Sequence, residues 1–137
     1  MIHCGNPELS YQDGQNKIVH LEADLFESVA WANSQNLKWA FTLSNAGSSY
    51  FEDRADLKQL VEINWAAVKT DQWGGPGINP SVKEGKQAEF LVEEKFPWKL
   101  FSQIGIMKDQ RLHQMIMRML NGAQHRPSVT YQPAWYY

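Results

Sequence analysis

With 137 residues the chain is the size of one ordinary domain, large enough to bury a core. Its 43% hydrophobic and 20% charged residues match a globular protein and exclude a disordered one. A net charge of −2 excludes a strongly basic nucleic-acid binder while leaving room for a local basic groove. The one cysteine, Cys4, excludes an internal disulfide and a cysteine-rich zinc site. No apolar run reaches the roughly 18 residues that span a membrane, and residues 1–5 lack a signal peptide's basic start, so the expected location is the cytoplasm. Six Trp, five Tyr and six Phe are many for this length; most are expected to fill the core, a minority to offer flat faces for stacking.

Residues 1–16 carry turn formers (Gly5, Asn6, Pro7, Asp13, Gly14) and read as an irregular lead-in. Ile18 and Val19 predict a strand over 17–21. Asp24 with Glu27 three residues later predicts a capped helix start, Leu25, Phe26, Val29 and Ala30 supply its apolar face, and 33–36 ends it. A short apolar strand is expected over 39–42, followed by a turn over 44–49. Short helices are expected near 56–61 and 64–69. Residues 74–85, with three Gly before Ile78 and two Pro, read as the clearest loop in the chain and as a mobile lid. A strand over 88–92 follows, then a helical turn opened by Pro97 and a strand over 104–107. Asp109 caps the most regular helix, in which Leu112, Met115, Ile116, Met119 and Leu120 keep helical spacing up to Asn121-Gly122. Met115 and Met119 are expected in the core and Met117 on a surface open to a partner. Residues 129–131 predict the last strand. Strands and helices alternate irregularly and long helices are few, which predicts an α+β fold with a mixed sheet and short helices in a single domain, 1–137. There is no GxGxxG, no P-loop and no GxSxG.

Glu89 is the first candidate for chemistry. Strand alternation puts Ala88, Phe90 and Val92 on one face and Gln87, Glu89 and Leu91 on the other. An acid in an apolar strand is costly if both faces are buried, so it must be solvated, paired or used. On spacing alone, a half-exposed strand with Glu89 in water is favoured. The surrounding residues add to this. Lys86-Gln87-Ala88-Glu89-Phe90-Leu91-Val92 followed by Phe96-Pro97-Trp98 resembles the "RQAEFLV…FPW" block that holds the catalytic Glu of the DarT-type DNA ADP-ribosyltransferase toxins. Gly14-Gln15 and Ile18-Val19-His20-Leu21 are similar to that family's "GQ…HL" strand, Phe41-Thr42 to the start of "FTDGHA", and Ile104-Gly105-Ile106 to its "IGV" strand. His125-Arg126-Pro127 and Pro133-Ala134-Trp135-Tyr136-Tyr137 resemble its closing "HRP…P-x-WYY".

The resemblance implies an ADP-ribosyltransferase-like half-fold and an enzyme that moves ADP-ribose from NAD+ to thymidine in single-stranded DNA, with an antitoxin as partner and no metal. It assigns the catalytic carboxylate to Glu89. It places a substrate-recognition loop before that strand, in which Tyr50, Phe51, Trp65 and Trp73 are candidates for stacking bases and Arg54 and Lys69 for contacting phosphates. The ordinary reading of most of these six is core packing and solvated charge. The "FTDGHA" Asp and His are absent, since Leu43-Ser44-Asn45-Ala46 follow Phe41-Thr42. The family's amino-terminal portion, with a His motif and a catalytic Arg, has no counterpart, and His3 is not assigned its role. The expectation is therefore a truncated domain impaired in catalysis alone. The rival expectation is a non-catalytic binding or assembly module, a homodimer covering apolar surface. Of the other ionisable residues, His3 beside Cys4 makes no metal site, and His20 reads as a core histidine. His113 reads as solvated, and His125-Arg126 as complementing a helix end.

Overall fold

The computed structural model describes residues 15, 17–73 and 76–136. Most of the lead-in, with His3 and Cys4, and Gly74 and Gly75 of the expected lid lie outside the described residues. The elements in chain order are β1 (Val19–Ala23), α1 (Leu25–Ser34), β2 (Trp39–Thr42), β3 (Asp53–Arg54), α2 (Trp65–Lys69), α3 (Pro80–Gly85), β4 (Phe90–Val92), β5 (Phe101–Ile106), α4 (Gln110–Met119) and β6 (Ser128–Tyr131). Single 3-10 segments occupy Leu57–Glu62, Trp98–Leu100 and Pro133–Trp135. The fold is α+β with short helices, as expected. Two three-stranded sheets are present among the described residues, in the orders β1-β5-β6 and β3-β2-β4. They belong to two compact units: one holds the residues up to Ser28 and those from Phe96 onward, the other Val29–Lys95.

In the first unit β1 runs antiparallel to β5 and β6 runs parallel to it, so this sheet is mixed. Helix α4 starts where Asp109 accepts hydrogen bonds from the backbone N–H groups of Arg111 and Leu112, which would otherwise be orphaned. It buries Leu112, Ile116 and Leu120 with Ile104 and Ile106 of β5, and Val129 packs against that cluster. This corrects the expectation for the methionines. Met115 and Met119 are 52% and 74% exposed, Met117 as open as Met115, because the contact with the sheet admits only a stripe at i, i+4, i+8.

Contacts between aromatic and histidine residues tie this unit together. Trp98 donates its indole N–H to the carbonyl of His125, whose Nε2 lies 2.6 Å from the carbonyl of Phe101. Phe96 and Trp98 both pack on the ring of Phe101. His20 meets Trp135 and Tyr136 edge-on, the packed role expected of it. Trp135 lies so close over Gly105 that an added Cβ there would collide with its indole, so only glycine allows the contact. His113, expected in solvent, is instead half-buried against Tyr131. The Tyr136 hydroxyl lies 2.7 Å from the carbonyl of Ile18 and 3.1 Å from that of Gly105, joining the chain's closing segment to β1 and β5. Burial raises the pKa of this phenol above its usual value, a backbone hydrogen bond at Met107 acting the other way. A folded-state pKa above the unfolded one means that the stabilisation is complete below about pH 10 and is lost as pH rises through the folded value. Tyr136→Phe is expected to lose about 1 kcal/mol at neutral pH, and the gap to the parent in unfolding titrations should narrow above pH 10.

In the second unit β2 is the central strand, antiparallel to β3 and to β4. Helix α1 begins among the residues of the first unit and ends in this one; it starts as expected, the Asp24 carboxylate accepting from the N–H of Glu27. Asn36 ends it in the left-handed region at φ 54°, with the N–H of Leu37 returning to the carbonyl of Ala32. Val29 and Ala32 of this helix, Phe41 and Thr42 of β2 and Ala67 of α2 are buried. The expected loop over 74–85 contains α3, capped by the Asn79 side chain and opened by Pro80. Its glycine, Gly85, is what permits α2 and α3 to touch: an added Cβ would stand 2.9 Å from Cβ of Ala67. Sequence periodicity could not find α3 because six residues are too few for a repeat. The expectation that most rings fill the core is also corrected. Among the described aromatic residues only Phe41 is buried, since helices this short cannot enclose so many large side chains.

Candidate active site around Glu89

Glu89 stands one residue before β4. The paired partners Phe41 and Phe90 share the core face with Trp39, whose ring lies 6.3 Å from that of Phe90. Alternation then puts Glu89 and Leu91 on the opposite face, where both are exposed. The expectation of a half-exposed strand with Glu89 in water is met. Its carboxylate makes no hydrogen bond or ion pair with the described residues, whereas its main chain is held on both sides. The Thr42 N–H donates to the Glu89 carbonyl at 2.8 Å. The Glu89 N–H donates to Thr42 Oγ1 at 3.0 Å, and that hydroxyl donates to the carbonyl of Ser44 at 2.6 Å. At the far end of the strand, the N–H of Lys38 donates to a Glu93 carboxylate oxygen at 3.1 Å. An open cleft of about 690 Å³ runs there, lined among others by Trp39, Lys38, Asp53, Leu91 and Glu93.

The four aromatic candidates are all exposed, against the ordinary reading that would place most of them in the core. Tyr50 is 68% exposed, with its hydroxyl 3.5 Å from a Glu84 carboxylate oxygen of α3. Phe51 follows it, also exposed. Trp65 opens α2 and donates its indole N–H to the carbonyl of Leu60 at 2.8 Å, which aims the ring while leaving a face open. Trp73 carries the ammonium of Lys86 5.0 Å from its ring centre. Lys86 also donates to the carbonyls of Thr70 and Ala67, so it ties the Trp73 segment to the residues leading into Glu89. The structure thus brings Tyr50 and Trp73 to the α3–β4 segment, through Glu84 and Lys86. Phe51, Trp65 and Lys69 share this unit with Glu89 but make no hydrogen bond or ion pair to it.

Arg54 has another task. Its guanidinium bonds Glu52 and Glu62 at 2.7 Å each, and these two carboxylates hold its pKa above the usual value. A cation already paired twice has little left for a phosphate, whereas Lys69 has no ion pair among the described residues. Arg54→Gln is expected to lower the unfolding midpoint in low salt and to leave the salt dependence of oligonucleotide binding unchanged. Lys69→Gln should instead flatten that dependence by about 0.7, the slope of one single-strand phosphate contact. Titrations over a salt series check both.

Thr42 and Lys86 escaped sequence reasoning as site residues. Phe41-Thr42 and Lys86 did lie inside quoted motifs, but nothing local says which atom each one holds.

A family model described as ssDNA thymidine ADP-ribosyltransferase, DarT, matches residues 1–137. A DNA ADP-ribosyl transferase of Thermus sp. (strain 2.9) is 32% identical over 99% of this chain and 61% of its own length. One of Thermus aquaticus is 32% identical over 95% of this chain and 54% of its own. Solved structures of Thermus sp. 2.9 DarT superpose with a TM-score of 0.80 in complex with ADP-ribosylated ssDNA and 0.79 in complex with NAD+. They are 31% and 30% identical and cover 93% of this chain, which covers 58% and 61% of theirs. The chain therefore spans less than two thirds of the length of these relatives.

Proposed function

The chain belongs to the DarT family of ssDNA thymidine ADP-ribosyltransferases, and from that premise we propose that Glu89 serves the transfer of ADP-ribose from NAD+ to a thymidine base of single-stranded DNA. The observation that carries the reading is an exposed carboxylate with no hydrogen bond or ion pair among the described residues, on a main chain held on both sides. In this reaction the bond from ribose C1′ to nicotinamide breaks, nicotinamide leaves, and a base nitrogen bonds to C1′ as its proton departs. Positive charge grows at C1′ in the transition state. A carboxylate can hold the ribose hydroxyls, stabilise that charge and take the proton, and among the described residues Glu89 is not already spent on a structural ion pair. The exposed faces of Tyr50, Phe51, Trp65 and Trp73 suit stacking of neighbouring bases, and Lys69 suits a phosphate. We read the protein further as a toxin that an antitoxin partner can hold in check, acting in the cytoplasm.

The test is incubation with NAD+ and a thymidine-containing single-stranded oligonucleotide. It is run on the chain alone and on the chain mixed with the part of a Thermus relative that it does not span. Nicotinamide release together with a mass gain of one ADP-ribose on the oligonucleotide supports the reading. Neither product in either mixture ends it.

A second reading, a module that assembles as a homodimer, draws on the exposure of Met115, Met117 and Met119 along α4. Sedimentation decides it: a monomer at high concentration rules it out.

A further inference from the structure

We propose that Thr42 is the positioning residue of Glu89, its hydroxyl acting as a rung of the sheet that fixes where the carboxylate points. The inference rests on the reading of Glu89 as catalytic and deepens it. Thr42 is 0% exposed, and a buried hydroxyl is costly unless its hydrogen bonds are made. Here they are made to main chain alone. An antiparallel hydrogen-bonded pair normally exchanges N–H to carbonyl in both directions. The pairing of β2 with β4 runs through Phe41 and Phe90, and Thr42 and Glu89 are next in register. One half of their exchange is regular, the Thr42 N–H on the Glu89 carbonyl at 2.8 Å. The other half is taken over by a side chain, because the Glu89 N–H reaches Thr42 Oγ1 at 3.0 Å.

The substitution matters for geometry. Both peptide groups that flank the Glu89 Cα are held by one residue, which sets the direction of the Cα–Cβ bond. The hydroxyl cannot rotate freely, since its own proton goes to the carbonyl of Ser44 at 2.6 Å. A valine would fill the same volume and suit a strand at least as well. Packing alone therefore gives no reason for the oxygen. Holding the peptide of a glutamate whose side chain has no partner among the described residues does.

Thr42→Val, Thr42→Ser and Glu89→Gln are compared in whichever preparation supports parent turnover, reading kcat, KM for NAD+ and hydrogen exchange of the Glu89 amide. Thr42→Val is expected to lower kcat on the order of 10- to 100-fold with KM within about twofold, as misplacement of a reacting group does. Its Glu89 amide should exchange about 10-fold faster, and Thr42→Ser should restore both. Should Thr42→Val fail to fold, Thr42→Ala carries the same comparison. Parent kcat in the hydroxyl-free variant overturns the proposal, and so does a serine variant as impaired as the valine one. If Glu89→Gln turns over like the parent, or no preparation turns over, the reading of Glu89 fails and takes this proposal with it. If Glu89→Gln is inactive while Thr42→Val is normal, only the proposal falls.

Discussion

Glu89→Gln is expected to lower ADP-ribose transfer on the order of 100- to 1,000-fold without unfolding the protein. The magnitude is what one charge-stabilising or proton-accepting group contributes when it acts on the transition state. Glutamine keeps the shape and removes the charge, so it cannot balance a cationic C1′ or accept a proton. The fold should be indifferent. Glu89 is exposed and its side chain holds nothing among the described residues, so the change in stability should stay within about 0.5 kcal/mol. Nicotinamide release and oligonucleotide mass report the activity, and thermal unfolding reports the fold. A variant that keeps activity within a few-fold of the parent removes Glu89 from the chemistry. A variant that unfolds would instead mean that the carboxylate has a structural partner.

The largest loss of stability is expected from Ile106→Ala. Ile106 is 0% exposed on β5, the central strand of its sheet, inside the cluster with Ile104, Leu112, Ile116 and Leu120. Removing its outer carbons deletes buried contacts and leaves a cavity that a strand paired on both sides cannot close, which costs about 3 kcal/mol. For a chain of this length the unfolding midpoint should fall by about 10 °C. Met115→Ala is the matched control. Spacing alone assigns Met115 to the same core, whereas its exposure predicts a loss below about 1 kcal/mol. Calorimetry or circular dichroism on the pair separates the two assignments, and equal losses would contradict the packing of α4 described above.

How much was legible depended on how far apart the interacting residues lie. The starts of α1 and α4 were readable because capping joins neighbours: Asp24 to Glu27, and Asp109 to Arg111 and Leu112. The two-residue β3 and the six-residue α3 were not, because neither is long enough to show a period. The helical spacing of α4 named five apolar residues, and the sheet chose three of them.

The same limit divides the candidate site. By itself the sequence determined the kinship and the α+β class and nominated Glu89 as the candidate for chemistry, all carried by residue identity and order along the chain. Its aromatic residues were visible too, though the inference that most of them are buried was not sound. Only the tertiary structure decided that Arg54 is spent on Glu52 and Glu62, that Lys86 sits over Trp73, and that the Glu89 carboxylate has no partner among the described residues while its backbone is held. The Thr42 hydroxyl and the Glu89 amide are 47 positions apart in the chain. A hydrogen bond between them depends on strand register, which folding sets and local sequence does not state.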